Sequence, residues 1–392
     1  MAAAPFTSSP VTPATVRRMV VANLVLLAVC LAVQVVMTNH SGRSSLSDLP
    51  HLFRMRHIGP GAIPYLDRPF EYPVAAGMLF YAAVAVAPSP AGVLVAMGIL
   101  TIVASAGVTV LLARQCGSMA WRWAVGLPVA LYAFQNWDVL AILALVAAVV
   151  AFERRRDALA GALLGLGTLV KLFPMVVAPP LVAYRLARGD RRGALRLGLS
   201  AVAVVLVGNL PFAIGNPSGW WWQVSFQGHR AATWGSLSMY VYKLLGLPMR
   251  GAAAAHLANG VSLMAVGVGV LIVTLLTFRG RLDPRRAALL AVAVFVLANK
   301  VYSPTYDLWF VALFVLVPIP RRWWIAFCTA DAVVFFLVYG YFHGVVGRPV
   351  LGALLPIAVG ARAIVIVSSA LRTVKWHSWR PERPRAEAAL TV

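Results

Sequence analysis

The chain has 392 residues, of which 61% are hydrophobic and 12% charged, with a mean hydropathy of +0.82. A soluble domain carries about 25% charged residues, so a soluble globular protein is excluded, and an all-α polytopic integral membrane protein is predicted from apolar runs at or beyond ~18 residues. The net charge of +22 does not indicate nucleic acid. Its arginines fall in short runs between apolar segments, the pattern of cytoplasmic loops, where they also meet anionic lipid head groups.

In chain order, residues 1–15 read as a polar, disordered cytoplasmic tail, 16–375 as one transmembrane domain, and 376–392 as a basic cytoplasmic tail. The run Met19 to Met37 is too long for a signal-peptide core and reads as a signal anchor. Candidate spans follow at about 73–88, 91–113, 120–134, 137–152, 158–172, 174–186, 194–213, 254–278, 287–300, 306–319, 323–343 and 349–371. That gives a bundle of about 11–13 transmembrane or re-entrant helices. Lys171 and Pro174 break one pair of half-spans, as membrane-depth polar backbone must be buried or line a wet cavity. Residues 39–72 and 214–250 form long external loops, the second carrying Trp220 to Trp222 and an interfacial helix over 236–246. Loop charges leave one conflict. The arginines at 153–157 put "QNWD" outside, whereas three full crossings after residue 72 put it inside, so one segment within 73–134 does not cross.

The twelve carboxylates can be weighed singly. Glu153, Asp157, Asp190 and Asp283 sit among loop arginines and read as solvated charge; Glu382 and Glu387 lie in the tail. Asp48, Asp67, Glu71, Asp138 and Asp307 fall at predicted external ends of spans, as do Lys171, His229, Arg230 and Lys300. Asp331 lies inside a span and is either functional or a structural partner for a neighbouring helix. Acids beside cations at the outer surface suit one chemistry. A carboxylate deprotonates an acceptor hydroxyl, and cations hold a phosphate leaving group on a lipid-linked donor.

The residues carry a resemblance. "SDLPHLF", "GAIPYLDRPFEYP", "QNWDVLA", "GLGTLVKLFP" and "NKVYSPTYDLW", in that order over about 45–310, resemble the polyprenol-phosphate-sugar-dependent glycosyltransferases of the GT-C superfold. Within them the resemblance is to glycosyltransferase family 87, which includes actinobacterial mannosyltransferases that extend phosphatidylinositol mannosides. It implies a GT-C-like bundle and an inverting transferase in the cell membrane whose site faces the extracytoplasmic side. It also implies a polyprenyl-phosphate sugar donor, most simply of mannose, and an envelope glycolipid or polysaccharide acceptor. The catalytic base of such enzymes is an acid in the first external loop. Here Asp48 takes that position, as Ser47-Asp48 where many relatives have paired acids, which weakens a metal-dependent reading. An arabinofuranosyltransferase of the same superfold and a lipid-linked-sugar flippase are the alternatives.

Each candidate also has a plain reading. Asp48 suits a helix cap before Leu49-Pro50. Glu71 suits a helix N-terminus, or a salt bridge with Arg54 or Arg68 that shapes the pocket floor; otherwise it binds the acceptor sugar. Asp67 reads as a turn residue. Asn136 and Asp138, with Gln135 and Trp137, can grip sugar hydroxyls or cap a helix. Lys171 and Lys300 either snorkel or bind the donor phosphate, as His229 and Arg230 do in the second loop unless they contact head groups. Tyr302 and Tyr306 flank Pro304 as sugar-binding aromatics. Cys30, Cys116 and Cys328 read as packing residues. His57 and His343 read as structural, and no histidine pair has metal-ligand spacing. No cofactor is expected, the sugar donor being a substrate.

Overall fold

The computed structural model describes residues 11–41, 46–59, 61–372 and 374. Residues 1–10 of the tail expected at 1–15, and the tail expected at 376–392, lie outside this range. Among the described residues the secondary structure is helical, and six helices are long and apolar enough to cross a membrane. The chain is an all-α polytopic membrane protein. α1 is Pro13–Ser41, so its first turn begins inside the stretch expected as tail, where the Thr12 hydroxyl accepts from Thr15 N.

The bundle has two chemically distinct ends. At the arginine-rich end, Arg285 bonds both oxygens of Glu153 and the side chain of Gln115, joining α14 (Pro284–Ala298), α7 (Asp138–Glu153) and α4 (Pro90–Cys116). At the opposite end, Asp48 N donates to Gln135 O, and Lys171 pairs with Asp138.

These anchors resolve the crossing conflict. α3 (Val74–Val86) follows Tyr72, which packs on Trp137 at the Asp138 end. It leads directly into α4, whose far end lies in the arginine cluster. Both ends of α3 are therefore at the Asp138 end, and 73–88 does not cross. The return runs through 117–137 in pieces: a 3-10 turn, α5 (Trp121–Ala124) and α6 (Leu127–Tyr132). Gly117, Gly126 and Pro128 interrupt it. Its freed polar groups find partners inside protein: Asn23 of α1 donates to Ala124 O, and Trp123 donates to Ser105 of α4.

α8 (Asp157–Val170) stops where Lys171 turns extended, and the chain resumes as a 3-10 turn over Phe173–Val177 and α9 (Ala178–Leu186), the expected break. α8 packs tightly on α10 (Arg191–Gly215), because Gly161 and Gly165 form a small-residue face. A Cβ on Gly161 would press into Leu197 O and the Ser200 hydroxyl. Gly161→Leu is expected to cost about 1–3 kcal/mol, read as a lower thermal midpoint in detergent.

Asp157 corrects one expectation. It is buried and pairs with the equally buried Arg185 (2.8 Å), which also donates to Phe152 O, so it is not solvated loop charge. Asp190 and Asp283 accept from Gly193 N and Arg286 N as helix caps. Beyond α10 the second loop folds as α11 (Pro217–Gly228) and α12 (Leu237–Leu244), the latter within the stretch 236–246 where a helix is expected. The chain then continues through α13 (Gly251–Phe278), α14, α15 (Asp307–Leu316), α16 (Arg321–Phe342) and α17 (Arg348–Leu371). The three cysteines are free and packed in or against the core.

Candidate active site

The first loop folds as a small platform over the Asp138 end. α2 (Asp48–Arg56) buries Leu49 and Leu52, and its cap is Ser47, whose hydroxyl accepts from Leu49 N. The capping role weighed for Asp48 therefore belongs to its neighbour. Asp48 N and the Ser47 hydroxyl both donate to Gln135 O, which docks α2 on the "QNWD" turn.

The segment "GAIPYLDRPFEYP" closes the platform. Tyr65 takes a left-handed conformation at φ 69° and is held there by its own hydroxyl, which donates to Tyr72 O and Pro73 O. Gly77 leaves room for that hydroxyl, since a Cβ would collide with it. Asp67 accepts from Ile63 N, the expected turn role. The turn throws Arg68 into solvent, and Glu71 pairs with neither Arg54 nor Arg68. It takes a bidentate pair of bonds from Arg56 at 2.8 and 2.9 Å. Leu49, Leu52 and Arg56 share one helical face, which carries Arg56 inward. Arg56 also stacks over Trp222 and Phe226, and Gln227 donates to Glu71 O, so Glu71 ties the first loop to α11. Exchanging the pair as Arg56→Glu with Glu71→Arg is expected to recover part of the stability lost by either single change. A coupling of about 1 kcal/mol is expected, measured by a double-mutant cycle of unfolding in detergent.

Beneath the platform lies a cluster of charged side chains. Asp48 is exposed as a residue, while its carboxyl lies among Asn136, Lys171 and Asp138. Desolvation by the surrounding protein raises its pKa above the ordinary carboxylate range, helped by Asp138 and opposed by Lys171, a hydrogen bond with Asn136, and His51. Lys171 is buried and lies 2.9 Å from one Asp138 oxygen, while Trp309 donates to the other at 2.7 Å. The Tyr72 and Tyr306 rings flank the ammonium at 5.5 and 5.6 Å. Phe173, Trp309 and Tyr306 stack in turn, with centroid separations of 3.7 and 4.0 Å.

The other candidates divide. Arg230 bonds Gln227 Oε1, lies over the Phe226 ring at 6.0 Å and forms no salt bridge among the described residues. Lys300 is spent on structure, donating to Gln227 O and Arg230 O at the end of α11, with its pKa pushed down to about 8 by burial and the Arg230 charge. His229 is exposed and bonds Ser225 O. Tyr302 is buried, and its hydroxyl donates to Asp307 at 2.6 Å, so it faces away from solvent. Asp138 has both oxygens bonded to protein, which leaves it a positioning group for Lys171. Asn136 accepts from Asp138 N and meets Asp48.

Below this lies a second buried network. Arg362 bonds Asp307 at 2.7 Å and Gly235 O at 3.0 Å and stacks on Tyr302 at 3.8 Å. Asp331 accepts from Tyr132 at 2.6 Å and faces Asp307. Of the two readings of Asp331, its contacts are those of a partner between helices.

Sequence reasoning passed over His51, Arg56, Tyr72 and Trp309. His51 sits three residues after Asp48, within one helical turn. Tyr72 stood inside the quoted motif. Trp309 closed the quoted "NKVYSPTYDLW" motif, but its bond to Asp138 exists only through the fold.

A family model for glycosyltransferase family 87 matches residues 70–304. The chain belongs to that family. It is accordingly a membrane glycosyltransferase, acting on a sugar donor and an acceptor. The match holds Glu71, Asn136, Asp138, Lys171, Arg230 and Lys300; Asp48 and Tyr306 lie outside it. Among curated proteins none matches.

Proposed function

We propose that this glycosyltransferase moves a hexose, mannose in the simplest case, from a polyprenyl-monophosphate carrier to an envelope glycolipid or polysaccharide on the extracytoplasmic face of the cell membrane. The GT-C superfold is the architecture that this reading implies. The observation that carries it is Asp48, an exposed residue beside Asn136 and His51, in a cluster that also holds Lys171 paired with Asp138. The cluster lies at the bundle end away from the arginine runs, which is the outer end by the positive-inside rule.

Asp48 takes the proton of an acceptor hydroxyl as that oxygen bonds the anomeric carbon. The carbon–oxygen bond to the carrier phosphate breaks, and its electron pair leaves with the phosphate. Arg230 is the group best suited to hold that phosphate, because its guanidinium meets no carboxylate among the described residues. Lys171, fixed by Asp138, holds a positive charge for the negative charge that builds on the leaving phosphate. A single displacement of this kind inverts the anomeric centre. Tyr72 and Tyr306 supply aromatic walls for sugar and prenyl carbon.

The test is transfer by the purified protein in detergent or nanodiscs, using radiolabelled polyprenyl-phosphate-mannose and an envelope lipid extract. Label is expected in a new glycolipid or polysaccharide, with polyprenyl phosphate released. No transfer from any polyprenyl-phosphate sugar would refute the donor class while leaving the family membership untouched.

A further inference from the structure

Two grooves run along the outer face of α16, toward its arginine-bearing end. One, of about 610 Å³, lies between α16 and the broken 117–137 crossing; the other, of about 560 Å³, lies between α16 and α17. They share a ridge, Ile325, Thr329 and Val333, whose spacing of four residues keeps it on one outward-facing stripe. Small residues beside the ridge carve both: Cys328 and Ala332 on one flank, Ala326 and Ala330 on the other.

Both grooves carry an arginine at the same end, Arg122 in the first and Arg322 in the second. Arg122 donates to Ile319 O and stacks over Trp324 at 5.2 Å. Neither arginine is in a salt bridge among the described residues. From Arg322 to Val333 the helix rises about 16 Å at ~1.5 Å per residue, close to the ~15 Å hydrocarbon depth of one leaflet.

We propose that α16 is straddled by one anionic phospholipid of the leaflet at the arginine-rich end, with an acyl chain in each groove and its phosphate between Arg122 and Arg322. The paired grooves match a two-chain lipid, their length matches one leaflet, and the two arginines without carboxylate partners match a negative head group. A single-chain polyprenyl carrier would fill one groove only. The site shares no residue with the charged cluster around Asp48 and does not depend on which sugar is transferred.

The experiment is native mass spectrometry of the full chain, equilibrated in detergent with equal amounts of phosphatidylglycerol and phosphatidylcholine. Wild type is expected to retain one phosphatidylglycerol with a preference of about 25-fold, roughly fivefold per arginine. Arg122→Gln with Arg322→Gln should bring the two lipids to parity. Thr329→Trp, which adds bulk to the ridge from the lipid side, should expel both without touching the core. Arg250→Gln, at the other end, should change nothing. Parity in wild type, a preference that survives the double substitution, retention by Thr329→Trp, or an equal loss in Arg250→Gln would each overturn the proposal.

Discussion

Asp48→Asn is expected to lower the rate of sugar transfer by roughly 10²- to 10⁴-fold, the range for loss of a positioned general base. The substitution keeps size and hydrogen-bonding shape. It also spares the fold, because Ser47, not Asp48, caps α2 and the Asp48 main chain docks on Gln135. Stability in detergent should therefore match wild type while turnover collapses. The same carboxylate sets a pH dependence. It must be ionised to accept a proton, and desolvation raises its pKa in the fold. The rate should thus fall as pH drops, with a midpoint above the ~3.9 of an unperturbed aspartate. Lys171 opposes that rise. Lys171→Met should move the midpoint further up, and a midpoint that stayed or moved down would count against Asp48 as the titrating base.

The largest expected loss of stability comes from Arg362→Met. Arg362 and Asp307 are 1% and 0% exposed, and the guanidinium holds α17 to α15 and to Gly235 of the second loop. Asp331 on α16 adds a second carboxylate against Asp307. Methionine keeps the bulk but leaves two buried acids without their cation. Breaking a buried pair by removing one partner costs about 3–5 kcal/mol, so the thermal midpoint should fall steeply. Adding Asp307→Asn to Arg362→Met should return part of that loss, since it removes the stranded charge. A double variant as weak as the single one would assign the loss to packing alone.

Membrane patterning made most of the bundle legible. Long apolar runs, arginine loops and the Lys171/Pro174 break each appear where hydropathy and charge put them. The segment 73–88 was opaque because thirteen residues of helix are apolar enough to look like a crossing, while the fact that both ends share one face exists only in three dimensions. The span expected at 120–134 does cross, but in short pieces that only burial supports.

At the site, residue type was a better guide than residue role. Lys171, Asp138, Asn136, Tyr306 and Asp48 do come together in one cluster. Lys300 looked like a phosphate ligand because a lysine at a span end has no local sign that two main-chain carbonyls await it. Asp157 looked solvated because Arg185, its partner, lies 28 residues on. Arg56 was within reach of helical periodicity, since it follows Leu49 and Leu52 on the buried face of α2.

In the proposed displacement Asp48 acts as a lone base. The neighbouring carboxylate, Asp138, is bound on both oxygens by Lys171 and Trp309 and is not free to act as a nucleophile. Retention would need such a second carboxylate close to the first. The most direct measurement is the anomeric configuration of the transferred sugar, read by NMR on product made by the purified protein from a polyprenyl-phosphate sugar of known configuration. The prediction is the opposite anomer to the donor's. Product with the donor's own configuration would contradict a single displacement driven by Asp48.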